Sequence, residues 1–183
     1  MIIGISGIKR SGKDTCADYL VDKYKFVKLS FAKPIKDACK ILFGFSDDQL
    51  YGDTKEDIDN RWGASPRKVL QYVGTDLFRK QIGNIIPNIG EDFWVRSLQY
   101  QCENYLKNNI NITIADVRFQ NEIDMIHSTG GYVIQLNRPS LSLDDLHESE
   151  TDIYKLKNID FNMTNDSSIE KLYEKIDNVF KSI

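Results

Sequence analysis

Hydrophobic positions along the chain follow two rhythms. Short apolar runs at Ile2–Ser6, Phe26–Phe31, Asn111–Asp116, Tyr132–Asn137 and Asn158–Met163 predict strands. Between them, apolar residues recur three and four positions apart and predict helices. Cys16, Ala17, Leu20 and Tyr24 make one stripe, and Ile35, Ala38, Cys39, Leu42 and Phe43 another. Val69, Leu70, Val73 and Leu77 follow, then Trp94, Leu98, Cys102 and Tyr105. A shorter helix over Gln120–His127 ends before Gly130-Gly131. The last stripe is the clearest, with Ile169, Leu172, Tyr173, Ile176, Val179 and Phe180. Strands alternating with helices predict an α/β protein, a central parallel sheet of about five strands with helices on both faces. Ligands then gather at the carboxyl ends of the strands. The rhythm fails between Gly44 and Pro66, an irregular excursion at the surface, and again over Asn137–Ser149. The whole chain, residues 1–183, is expected to form one domain.

Directly behind the first strand stands Gly7-Ile-Lys-Arg-Ser-Gly-Lys-Asp-Thr15. Strand, glycine-bounded turn and helix form the setting of a phosphate-binding loop, which places the chain in the three-layer P-loop NTPase class. Gly7 and Gly12 stand where a side chain would block phosphate. Backbone N–H groups of the loop and helix start face phosphate oxygens, and Lys13 reaches the β- and γ-phosphates. Asp14 occupies the position where many such loops carry Ser or Thr, and Thr15 follows it. Either Asp14 or Thr15 can hold magnesium, directly or through water.

Composition narrows the field. The content is 41% hydrophobic and 28% charged, as in ordinary globular proteins. A net charge of -3 gives no general reason to expect a nucleic acid polymer as partner. No apolar run is long enough to span a membrane. Cys16, Cys39 and Cys102 lack metal-site or redox spacing and read as reduced core thiols, so a cytoplasmic setting is expected, the host cytoplasm if the protein is viral.

Beyond the loop, Ile112–Asp116 reads as a buried strand followed by Val117-Arg118. An Asp at a strand end beside a phosphate loop can organise magnesium, and Arg118 can neutralise a migrating phosphoryl group. The alternative is a surface pair that caps the strand. Lys9, Arg10, Lys33, Lys36 and Arg67 are candidates to hold an anionic acceptor. Gly74-Thr75 interrupts a helical stripe, which points to close backbone approach or a helix end. Trp94 fits a core position or a plate for a base.

Together these residues resemble the deoxynucleoside monophosphate kinases of T-even-like bacteriophages. The likeness runs from the loop with Ala17-Asp18 through Pro34-Ile35-Lys36-Asp37-Ala38, Gln71-Tyr-Val-Gly74-Thr75-Asp76-Leu77 and Asp116-Val-Arg118 with Glu122. It continues through Gly131-Tyr-Val-Ile134, Arg138-Pro139, His147-Glu-Ser-Glu150 and Thr164-Asn165-Asp166. The resemblance implies transfer of the γ-phosphate of ATP, with magnesium, to a deoxynucleoside 5′-monophosphate. It implies that the loop residues Gly7, Arg10, Ser11, Gly12, Lys13, Asp14 and Thr15 serve ATP, with Asp14, Thr15 and Asp116 towards the metal. Lys13, Arg118, Ser11 and Asp14 then match catalytic positions. Lys9, Ile35, Lys36, Arg67, Gly74, Thr75, Trp94, Asp116, Arg118 and Glu122 match positions at or near the acceptor. The chain departs from the family by being shortened between Phe43 and Pro66, where such kinases enclose the acceptor.

The expected partners are therefore small molecules, ATP and a deoxynucleoside monophosphate. Three rivals stand beside this reading: a P-loop kinase of a sugar or coenzyme precursor, a nucleotide-switch or motor NTPase, and a nucleotide-binding module without catalysis. The sequence leaves oligomeric state open, a homodimer included.

Overall fold

The first apolar run forms strand β1 (Ile2–Ser6), and all five of its residues are buried. It is the centre of a parallel sheet. The neighbours are β2 (Val27–Leu29), β3 (Ile112–Val117), β4 (Tyr132–Asn137) and β5 (Phe161–Thr164), in the order β2-β3-β1-β4-β5. The two edge strands are shorter than their apolar runs. Each pairs on one side only, and Lys25 and Asn158 ahead of them take left-handed backbone angles, φ 60° in both, that delay the extended conformation.

The computed structural model describes residues 1–141 and 152–183, which divide into one unit of Met1–Ser30 with Gln99–Ile183 and another of Phe31–Leu98. Helices cover both faces of the sheet in the first unit. On one face Ile3, Ile5, Ile134, Leu136 and Met163 meet Cys16, Ala17 and Leu20 of α1 (Lys13–Tyr24). The same core takes Leu172, Ile176 and Val179 of the carboxyl-terminal helix Ile169–Ser182. The opposite face is closed by the helix Gln120–Ser128, whose Ile126 Cδ1 lies 2.5 Å from where a Cβ on Gly4 would stand. A glycine at the centre of the sheet thus lets that helix approach.

The second unit is helical. It contains α2 (Lys33–Phe43), α3 (Asp47–Tyr51), α4 (Pro66–Gln71), a π-helix over Tyr72–Gln81 and the first turns of α5 (Phe93–Lys107). Numbering continues with α6 (Gln120–Ser128) and α7 (Ile169–Ser182) in the first unit. Cys39, Phe45, Leu50 and Val73 form the core of the second unit, with Ile35, Phe43, Val69, Leu70 and Phe78 against it. Ile169 of the last stripe is 47% exposed at the start of its helix, and two expected core positions of the second unit lie outside: Leu42 is 67% exposed and Leu77 37%. The second has a plain cause. In a π-helix the hydrogen-bonded partner is five residues on, not four, so the position facing inward after Val73 is Phe78.

The excursion between Gly44 and Pro66 is also more ordered than its broken rhythm suggests. Ser46 and Gln49 cap α3 reciprocally. Arg61 donates to both carboxylate oxygens of Asp59 and to the Gly44 carbonyl, and Trp62 Nε1 donates to the Phe43 carbonyl at 2.9 Å. The Arg61 guanidinium and the Gln49 amide hold the Asp59 carboxyl well below the usual carboxylate range. Among the described residues no helix is long and apolar enough to cross a membrane.

Candidate functional site

The loop between β1 and α1 has the backbone that its sequence requires. Gly7 has φ +151°, and a Cβ there would stand 2.5 Å from the Leu136 carbonyl oxygen. Gly12 has φ +105°, and Arg10 between them is left-handed at +65°. The Ile8 carbonyl closes the turn, accepting from the Ser11 N–H at 3.2 Å and from Lys13 Nζ at 2.7 Å. The Cys16 N–H then bonds to the Gly12 carbonyl at 3.0 Å and starts α1. Lys9 and Arg10 are exposed, whereas Ser11 is fully buried and its hydroxyl has no hydrogen-bond partner among the described residues. Burial pushes the Cys16 thiol up to about 12, against the opposing pull of Lys13, so it stays neutral.

Residues far along the chain hold this loop from behind. Asn165 Nδ2 donates to the Ser11 carbonyl at 2.9 Å, and Arg138 donates to the Arg10 carbonyl at 3.3 Å. Both lie in segments that carry the family resemblance, yet no spacing rule gave either a task. A cavity of about 240 Å³ opens beside Gly7 at the carboxyl ends of β4 and β5, with Gln135, Asn162 and Thr164 among its polar walls.

β3 pairs with β1, Val117 standing opposite Ser6. That pairing puts Asp116 on the strand next to the one that leads into the loop, and Arg118 directly follows that strand. Asp116 accepts a hydrogen bond from Ser30 at 2.8 Å. Glu122 is buried at 1% exposure. Its carboxylate accepts from the backbone N–H groups of Arg118 at 2.7 Å and Phe119 at 3.1 Å, which fixes the start of α6 and the main chain of Arg118. Asp14, in the first turn of α1, is exposed and pairs with Lys28 at 2.9 Å; Lys28 also pairs with Asp18 at 2.8 Å. Thr15 is half-buried.

Asp14, Thr15 and Asp116 offer oxygen donors only, which suits a hard cation. Magnesium is usually held by one or two carboxylates together with substrate phosphates rather than by an all-protein cage.

The remaining candidates lie in the second unit. Ile35 and Gly74 come together, Ile35 Cδ1 standing 3.1 Å from where a Cβ on Gly74 would be. Trp94 is 5% exposed and its indole N–H donates to the Gly74 carbonyl at 2.8 Å. Gly74 is thus a point of close backbone approach within the π-helix, and Thr75 beside it is exposed. The Lys36 ammonium lies 4.0 Å over the Tyr51 ring, Arg67 pairs with Glu56, and Lys33 pairs with Asp37 at 2.6 Å. His147 and Glu150 lie outside the described residues.

Comparison with known proteins identifies the family. The family model for deoxynucleotide monophosphate kinase matches residues 1–56 and 42–176. The overlap of the two matches falls at the segment read as shortened. A protein of Acanthamoeba polyphaga mimivirus assigned as a deoxynucleotide monophosphate kinase is 43% identical over 181 residues, covering 96% of this chain and 94% of its own. The deoxynucleotide monophosphate kinase of Enterobacteria phage T4 is 26% identical over 248 aligned positions, covering 98% of each. Among solved structures, dephospho-CoA kinase from Campylobacter jejuni has a TM-score of 0.56 at 18% identity, covering 98% of this chain and 95% of its own, a likeness of fold. With a family model matching residues 1–56 and 42–176 and a relative 43% identical over 96% of the chain, the chain belongs to the deoxynucleotide monophosphate kinases.

Proposed function

We propose that this protein transfers the γ-phosphate of ATP to a deoxynucleoside 5′-monophosphate, releasing ADP and the deoxynucleoside diphosphate. The observation that carries the reading is the phosphate loop with Lys13 between β1 and α1, next to Asp116 at the end of the paired strand β3 and Arg118 just after it. An oxygen of the acceptor phosphate attacks the γ-phosphorus in line. The bond from that phosphorus to the β–γ bridging oxygen breaks, and ADP leaves with the electron pair. The acceptor phosphate is already nucleophilic, so no strong general base is needed, and positioning with charge neutralisation supplies most of the rate.

In this reading the backbone N–H groups at the start of α1 bind the donor phosphates, with Gly7 and Gly12 keeping the approach clear. Lys13 exchanges its bond to the Ile8 carbonyl for the β- and γ-phosphates. Arg118, its backbone fixed by Glu122, takes up charge on the migrating group. Ser11 orients the γ-phosphate from within the loop. Lys9, Lys36 and Arg67 hold the acceptor phosphate, and Ile35, Gly74, Thr75 and Trp94 shape the acceptor's surroundings. Asp14, Thr15 and Asp116 are the residues that would hold magnesium, whose charge offsets that of the β- and γ-phosphates when bound. The cavity beside Gly7 leaves room for part of the donor beyond its phosphates.

The test is an assay of ATP with each of the four deoxynucleoside monophosphates, and with sugar and coenzyme-precursor hydroxyls as controls. ADP release and product identity are followed together. ADP and a deoxynucleoside diphosphate are expected with at least one monophosphate. Transfer to none of them would overturn the proposal.

A further inference from the structure

We infer that Asn165 is a positioning residue for phosphate transfer, its side-chain amide locking the Ser11–Gly12 peptide so that the Gly12 N–H faces away from β5 and is presented to the donor phosphates. The argument starts from the peptide plane. In a trans peptide the C=O and N–H point to opposite sides. Asn165 Nδ2 donates to the Ser11 carbonyl at 2.9 Å, so the N–H of the same plane, that of Gly12, is directed away from Asn165.

Such a lock is needed at this place. Glycine rotates about its backbone at little steric cost, and Gly12 sits at φ +105°. A flipped Ser11–Gly12 peptide would present a carbonyl oxygen to an anionic ligand. The Ser11 hydroxyl, buried without a partner among the described residues, makes no bond that would prevent the flip.

Asn165 is itself held firmly. Its own N–H donates to the Asn137 carbonyl at 2.7 Å, and Lys175 from α7 bonds the Thr164 carbonyl at 2.6 Å and the Asp166 carboxylate at 3.0 Å, bracketing it on both sides. A Cβ at position 12 would stand 2.7 Å from Asn165 Nδ2. Glycine at position 12 therefore lets this amide reach the loop.

The inference rests on the reading of the loop as the donor-phosphate site. It is tested on the full chain with Asn165→Ala and with Asn165→Asp, which keeps the shape and replaces the N–H donor by an acceptor. Three quantities are measured: the Kd for ATP with magnesium, the KM for ATP and for the monophosphate, and the unfolding midpoint without nucleotide. Loss of one positioned hydrogen bond should weaken ATP binding and kcat/KM for ATP about tenfold, with Asn165→Asp affected at least as strongly as Asn165→Ala. The KM for the monophosphate should stay within about twofold of wild type. Asn165→Asp that binds ATP as tightly as wild type would overturn the inference. So would a parallel loss for ATP, monophosphate and unfolding midpoint, which marks a purely structural role. If the wild-type chain itself binds no ATP, the reading of the loop fails and not the role of Asn165 alone.

Discussion

In the proposed mechanism Lys13 and Arg118 act by charge, Lys13 from the first turn of α1 and Arg118 from a main chain fixed by Glu122. Lys13 rests on the Ile8 carbonyl, a neutral acceptor that a phosphate displaces readily. Replacing Lys13 or Arg118 by alanine is expected to lower turnover about a hundredfold or more, read as kcat at saturating ATP and acceptor. An Arg118→Ala enzyme with near-normal kcat would remove that residue from the mechanism. Glu122 acts one step back. With its carboxylate gone, the N–H groups of Arg118 and Phe119 lose their acceptor in a buried setting. Glu122→Ala should therefore cost about 1–3 kcal/mol of stability, measured by urea unfolding, and lower kcat as the Arg118 backbone loosens.

At the scale of elements, periodicity carried the sheet and its helices because each buries one face, and burial leaves a repeating trace in sequence. The five apolar runs became the five strands, and α1, α2, α5, α6 and α7 sit where their stripes fall. The π-helix was hidden because its winding changes the repeat partway, and Leu77 gave way to Phe78. Asn165 and Arg138 were hidden for another reason. Each acts through a single bond to a backbone carbonyl more than a hundred residues away, which no local pattern records. The excursion after Gly44 is of the same kind, ordered by Arg61 and Trp62 on carbonyls of the preceding helix end. Its ion pair makes a pH prediction. The folded-state carboxyl of Asp59 is lowered by Arg61, so its stabilising contribution is fully present above the ordinary carboxylate value of 3.8 and is lost as pH falls below it. The unfolding midpoint of Asp59→Asn should thus lie below wild type by a constant margin from pH 7 to about 5, and the margin should narrow towards pH 3. A margin independent of pH would mean that the ion pair contributes nothing beyond its shape.

For the molecule as a whole, the proposed donor and acceptor residues are partitioned along the chain, with the exception of Lys9, an acceptor candidate carried by the donor loop itself. The loop, Asp116, Arg118 and Asn165 belong to the unit of Met1–Ser30 with Gln99–Ile183, while Ile35, Lys36, Arg67, Gly74, Thr75 and Trp94 belong to Phe31–Leu98. The second unit is also where the family match breaks, and where the phage T4 relative, aligned over 248 positions against a chain of 183 residues, has room for additional segments. A kinase that keeps its donor residues in one unit can vary the other without altering how it holds ATP. The two binding steps should then separate under mutation. Lys36→Ala and Arg67→Ala each remove a cation from the acceptor set, and each should raise the KM for the monophosphate about tenfold while the Kd for ATP, measured without acceptor, stays within about twofold. Lys13→Ala should do the reverse, weakening ATP and sparing the acceptor. Loss of ATP affinity in Lys36→Ala equal to its loss of acceptor affinity would contradict the partition and would assign Lys36 to the donor.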